Sequence, residues 1–284
     1  MRFLRSVIYS LYSPMTARFL KKFLNLGHFP KWLKKLDVLQ FLRFIFRYDR
    51  ACFQKEKSVS ELPRYESKSV REAGKQFYVN SQGLRIPSVT TILNATKSRE
   101  DRDRLFSWQQ RIGVEQAAEI TKSASRRGTG THRYIQKFLQ GQEVECPESI
   151  RPYWESVEPI VQAVEAVRLV EGVVIHDQLG YAGVVDCVAS YEGVPCICEW
   201  KTSDRPKKTV DRLFDYPLQI VAYCGAVNQL YRDYDLNIRH ALLVVAIPEM
   251  PAEVFWFEPS EIEEYWQQWE ARVHQYWRRQ GYFR

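Results

Sequence analysis

Apolar positions along this 284-residue chain switch repeatedly between a helical and a strand-like period. From residue 76, "QFYVNSQGLRIPSVTTIL" reads as a short hairpin turning at Asn80 to Gly83, and Pro87 and Ser88 then open a helix. Residues 99 to 140 keep helical spacing, with breaks expected near Gly113 and at "RRGTGTH". Residues 149 to 166 place Trp154, Val157, Val161 and Val164 on one helical face, with Pro159 near the first turns or at a kink. "VRLVEGVVI", "GVVDCVASY" and "VPCICEWKT" follow as strands. Asp215 and Pro217 open a helix to about Leu230. "HALLVVAI" is a continuous apolar run, the mark of a central strand, and "AEVFWFE" a last strand. Ser260 and Glu263 suggest a capping box before a helix carrying Ile262, Trp266, Trp269 and Val273. The pattern predicts an α/β fold with a mixed sheet and helices at both ends.

The first 75 residues read differently. Residues 1 to 36 hold eight Lys or Arg and no Asp or Glu, and Phe3, Leu4, Val7, Ile8 and Leu11 recur at helical spacing. No run reaches the roughly 18 apolar residues of a membrane span. The segment fits a mitochondrial or plastid transit peptide, a helix contacting a membrane surface through residues 1–50, or residues translated ahead of the working start. The first reading places the protein in an organelle; otherwise a bacterial cytoplasm is expected. Residues 53 to 75 read as a polar linker. The expected division is an extension and linker, 1–75, and a folded domain, 76–284. The net charge of +7 belongs to the extension, since 33 basic and 34 acidic residues follow residue 36. The main domain therefore has no charge excess that would mark it as a general polyanion binder.

Six cysteines are present and none forms a CxxC pair. Cys196 and Cys198 alternate on one strand, which gives no structural-zinc geometry by itself. They read as small buried hydrophobes in a reducing compartment, with no disulfide framework.

The chemistry concentrates in "GVVDCVASYEGVPCICEWKTSD", residues 183–204. Tyr191-Glu192-Gly193-Val194 fits a two-residue turn with Gly at its second central position. Ala189 then faces Cys196, and Asp186 faces Glu199. Lys201 shares the face of Glu199. Two carboxylates and an ammonium thus meet among apolar neighbours, where unpaired charge is costly. Two readings remain open on spacing alone: a cross-strand ion pair on a solvated sheet face, or a divalent-metal site of oxygen ligands.

Asp186 followed by Glu199-Trp200-Lys201 resembles the D…(D/E)xK signature of the PD-(D/E)xK nucleases. The surrounding "GYAGVVD", the Gln219 and Tyr223 of "QIVAY", the "RRGTGTH" run and "IPSVTTIL" resemble the RecB-type exonuclease branch. Within it, "VDCVA", the EWKTS stretch and the "PLQ…AY" run are similar to the mitochondrial genome maintenance exonucleases and related bacterial RecB-like proteins. The resemblance covers roughly residues 76 to 279. It implies a restriction-endonuclease-like core, a mixed central sheet flanked by helices. It implies a metal-dependent DNA exonuclease of repair or genome maintenance, acting on single-stranded DNA or flaps with Mg²⁺ or Mn²⁺.

The roles follow from the resemblance. Asp186, Glu199 and His132 are expected metal ligands, and Lys201 positions the attacking water or stabilises phosphate charge. Gln219 and Tyr223, four apart on a helix, orient the site. Glu171 is an additional acidic candidate. Arg205, Lys207 and Lys208 are candidate phosphate contacts, with Ser88, Thr90, Arg127 and Thr129 at the rim. The sequence lacks a C-terminal cysteine cluster, so no iron–sulfur cluster is expected, and it lacks a Walker A loop. Two other classes compete: a non-catalytic nucleic-acid-binding module on a nuclease fold, and a membrane-associated protein acting through its basic N-terminus.

Overall fold

Strict alternation in His240–Ala246 (β7) places Ala241, Leu243 and Val245 in one apolar cluster and Leu242, Val244 and Ala246 in another. A strand buried on both faces must lie inside a covered sheet. The computed structural model describes residues 61–234 and 236–282. It shows a five-stranded mixed sheet in the order β4-β5-β6-β7-β8. The other strands of that sheet are β4 (Val164–His176), β5 (Tyr181–Tyr191), β6 (Val194–Thr202) and β8 (Glu253–Phe257). Only β6 and β7 run parallel; the other neighbours are antiparallel. Helices α1 (Val89–Ala95), α5 (Tyr216–Leu230) and α6 (Pro259–Arg279) supply one apolar cluster, and α3 (Val114–Leu139) and α4 (Arg151–Gln162) the other. The sheet is flanked by helices, the α/β arrangement expected from the sequence.

A small antiparallel sheet precedes it: β1 (Ser69–Glu72), β2 (Lys75–Val79) and β3 (Arg85–Pro87). The β2–β3 turn is the expected one, with Gly83 at φ 78. The expected linker is wrong from residue 61 onward. Leu62 is buried, its N–H bonds to the Arg168 carbonyl, and Tyr231 donates to the Pro63 carbonyl. The polar composition of this stretch belongs to a strap and an edge strand. The compact unit begins at Val59. The transit-peptide and membrane-surface readings concern residues 1–50 and lie outside the described residues.

Three further expectations need correction. α3 runs unbroken through "RRGTGTH". Its glycines serve close approach: a Cβ at Gly130 would come within 2.9 Å of Ile150 Cγ2, and one at Gly128 would face Thr202 Oγ1 at 3.7 Å. The break before it, at Gly113 (φ 88), separates α3 from α2 (Arg99–Ile112) as expected. Val164 starts β4 instead of ending α4. The capping box of α6 is Glu258 with Glu261, two residues earlier than Ser260 with Glu263, because Pro259 takes the first helical position.

Candidate active site

The β5–β6 hairpin adopts the expected register, from Tyr191↔Val194 through Ala189↔Cys196 to Cys187↔Cys198. The ladder stops one pair short of Asp186 and Glu199. There the Trp200 N–H donates to Asp186 Oδ2 at 2.9 Å, and β6 continues to Thr202 beside β7. Cys196 and Cys198 share a face, their sulfurs 3.7 Å apart, and Cys187, Cys196 and Cys198 are free and buried.

Glu199 and Lys201 project from β6 toward α5. Lys201 Nζ donates to Glu199 Oε1 at 2.5 Å and lies 5.0 Å from the centre of the Tyr216 ring. Gln219 Nε2 donates to the same carboxylate oxygen at 2.9 Å and lies 3.1 Å from the Tyr223 hydroxyl. The four-residue spacing of Gln219 and Tyr223 thus places both on the helix face that covers Glu199. Glu199 is 1% exposed, and its second oxygen, Oε2, is buried with no hydrogen-bond partner.

Asp186 meets a different group. Nδ1 of His132, on α3, lies 3.3 Å from Asp186 Oδ1 and 3.8 Å from Glu171 Oε1. Glu171 sits between the pairs Val170↔Cys187 and Gly172↔Val185, opposite Asp186, with a backbone φ of 48°. That conformation is unfavourable for a side-chain-bearing residue and is found where surrounding structure holds it. Ligand atoms of His132, Glu171 and Asp186 all fall within 4.8 Å of one another.

The electrostatics set buried carboxylates against two cationic groups, His132 and Lys201. Burial pushes Glu199 up, and the Asp186 charge adds to this, to a pKa of about 7. Burial opposes protonation of His132, but the Asp186 carboxylate and its hydrogen bond override it and raise the imidazole to about 10. Burial likewise works against the Lys201 ammonium, yet Glu199 and Asp186 hold its pKa above the usual value. Against its own burial, the Asp186 carboxyl is held below its ordinary range by His132 and Lys201.

The remaining candidates are dispersed. Ser88 is the buried N-cap of α1; its Oγ accepts from Thr91 N at 3.0 Å and lies 3.0 Å from Thr90 Oγ1. Arg127 pairs with Asp204 at 2.9 Å and stacks over Tyr153, whose hydroxyl donates to the same Asp204 oxygen at 2.7 Å. It ties α3 to the loop after β6. That loop carries Arg205, Lys207 and Lys208. Glu253 accepts the backbone N–H groups of Lys207 (2.6 Å) and Lys208 (2.9 Å), and Ser203 Oγ bonds the Arg205 backbone. No contact joins these three side chains to the cluster among the described residues. Thr129 lines a cavity of about 360 Å³ with Gly128, His132, Arg133, Gln136 and Glu171. Arg133, Gln136 and Tyr216 were not singled out from the sequence. Arg133 immediately follows His132 in the matched run, and Tyr216 precedes the helix-opening Pro217, which were the only available signals.

A helix-flanked mixed sheet with acidic groups and a lysine at the splayed end of its central hairpin is a nuclease-like core. No family model matches the chain. The chain is 36% identical over 200 residues to mitochondrial genome maintenance exonuclease 1 of Homo sapiens, covering 67% of this chain and 58% of that protein. The Mus musculus protein of the same name is 34% identical over 203 residues, covering 69% and 60%. These exonucleases are homologues of the chain, as the resemblance implied. The chain spans less than two thirds of their length. A crystal structure of a protein from Eubacterium rectale superimposes with a TM-score of 0.38 at 14% identity, over 56% of this chain and 69% of that one.

Proposed function

We propose that this protein is a metal-dependent deoxyribonuclease, an exonuclease that hydrolyses phosphodiester bonds of single-stranded DNA or flaps in DNA repair or genome maintenance. The homologues' name, exonuclease, supports the reaction class. The observation that carries the metal dependence is the cluster of His132, Glu171 and Asp186, together with Glu199 Oε2, a buried carboxylate oxygen without a partner whose carboxyl feels the Asp186 charge. Three carboxylates and one imidazole suit a hard divalent cation such as Mg²⁺ or Mn²⁺. His132, Glu171, Asp186 and Glu199 would hold it. Bound there, such an ion supplies Lewis acidity and lowers the pKa of a coordinated water.

The chain's own residues do the rest. Lys201 keeps its proton in this field and acts as a fixed cation toward the phosphate, more than as a base. Gln219 holds Glu199 Oε1, which leaves Oε2 directed elsewhere. Trp200 N–H fixes the Asp186 carboxylate through Oδ2, which leaves Oδ1 toward His132. The near-neutral charge beyond residue 36 supports single strands over duplex, since non-specific duplex binding needs a broad basic surface.

The test is digestion of end-labelled single-stranded, flapped and blunt DNA with Mg²⁺, Mn²⁺ or a chelator at one salt concentration. Cleavage with either metal and none with chelator is expected, with blunt duplex the poorest substrate. Binding without cleavage under all metals would favour the non-catalytic module. Blunt duplex degraded as fast as single strands would overturn the strand preference alone.

A further inference from the structure

We infer that the cavity beside His132 and Glu171 is a subsite for one backbone phosphate of the DNA strand, held by Arg133 and Gln136. This rests on the nuclease reading and adds a binding position that the metal cluster does not supply. The cavity, about 360 Å³, is lined along a single face of α3 by Gly128, Thr129, His132, Arg133 and Gln136, and closed by Glu171. Its wall therefore includes two members of the cluster that would hold the cation. A strand whose reacting phosphate lies at that cluster must pass this wall with its neighbouring nucleotide.

Two of the three arginines on α3 have carboxylate partners. Arg126 pairs with Glu119 at 3.0 Å and Arg127 with Asp204 at 2.9 Å. Arg133 makes no ion pair with any described residue, yet it borders a cavity that also contains the Glu171 carboxylate. A guanidinium there without a carboxylate of its own suits a phosphodiester, which accepts two N–H bonds in parallel. The Gln136 amide and Thr129 hydroxyl offer neutral hydrogen bonds to the same phosphate or its sugar. Gly128 lets α3 lie close on β6, with Thr202 Oγ1 3.7 Å from where a Cβ would stand.

The test uses the full chain and a short fluorescent single-stranded oligonucleotide, with binding read by anisotropy between 50 and 200 mM salt. Arg133→Gln is expected to weaken binding by about three- to tenfold and to lower the slope of log K against log salt by about 0.7, the value of one single-strand phosphate contact. Arg126→Gln removes the same formal charge from the same helix and is the control. It should leave the slope close to wild type. In cleavage assays the Arg133→Gln loss should fall on KM. Replacing single phosphates with neutral methylphosphonates should reproduce the loss at one position, and that loss should not add to Arg133→Gln. Equal slopes for wild type and Arg133→Gln, or equal changes in both variants, would overturn the subsite. A wild-type protein that binds with the expected slopes but never cleaves would leave the subsite standing and overturn the nuclease reading.

Discussion

Gln219 on α5 and Glu199 on β6 are joined by a 2.9 Å hydrogen bond. The bond satisfies one carboxylate oxygen and leaves the other without a partner. Groups that orient a metal-binding carboxylate typically change metal affinity or activity by about 10- to 100-fold when removed. Gln219→Leu should therefore raise the Mn²⁺ concentration for half-maximal cleavage by that order, with a melting temperature close to wild type. A variant with unchanged metal dependence would show that the bond is structural.

Gly183 should matter through Tyr223. A Cβ at position 183 would stand 2.6 Å from a Tyr223 ring carbon, so the ring and its Gln219 partner must shift. Gly183→Ala is expected to cost about 1–3 kcal/mol in urea unfolding, the usual range for overpacking. Combining it with Tyr223→Ala should cost less than the sum of the two single changes. Strict additivity would contradict the contact.

Arg64 should couple the N-terminal strap to Glu171. Its guanidinium donates to the Val170 carbonyl at 2.6 Å and the Glu171 carbonyl at 3.2 Å, across the residue with φ 48°. A chain starting at Val59 should fold and cleave. One starting at Lys75 loses Leu62, Arg64 and β1, and should melt lower and need more Mn²⁺. Within the full chain, Arg64→Met should raise the Mn²⁺ requirement, and Arg64→Lys should restore part of it. A fully active chain from Lys75 would return the domain boundary to the sequence-based position.

His176 should contribute an acid-sensitive part of the stability. Its ring stacks on Tyr181 at 5.0 Å, and burial lowers its pKa from 6.5 to about 4. The unfolded chain then binds the extra proton between those values, so this contribution is full above pH 6.5 and is lost as pH falls toward 4. Solvent screening keeps it below the roughly 3–4 kcal/mol that the full shift would give. His176→Asn retains an acceptor for the Leu179 N–H and does not titrate. The stability gap between wild type and this variant should shrink from pH 7 to pH 4.5. A constant gap would contradict the assignment.

The hairpin was legible because turn chemistry and alternation fix register together: Glu192-Gly193 set the turn, and every pair followed to Cys187↔Cys198. Asp186, Glu199 and Lys201 came with it. Gln219 and Tyr223 came from the resemblance; helical spacing added that they share a face, and both meet there beside Glu199. Glu171 was seen as an acidic strand residue, but its meeting with His132 depends on a positive φ that no Glu in a sequence signals. β4 is also irregular between Glu165 and Leu169, where its register on β5 shifts. α3 runs on through "RRGTGTH" because glycine serves space there: a Cβ at Gly130 would stand 2.9 Å from Ile150. The strap was missed because Leu62 is a single apolar residue in polar surroundings.

On the proposed reading, His132, Glu171, Asp186 and Glu199 together would hold a divalent cation. Mn²⁺ binding to the full chain, followed by electron paramagnetic resonance as free Mn²⁺ disappears, tests it without reference to cleavage. The wild-type protein should bind Mn²⁺ in a manner displaced by Mg²⁺. Asp186→Asn and Glu171→Gln should each weaken binding by at least about tenfold while the fold persists. Wild-type protein that leaves Mn²⁺ free, or binding untouched by both substitutions, would contradict the account.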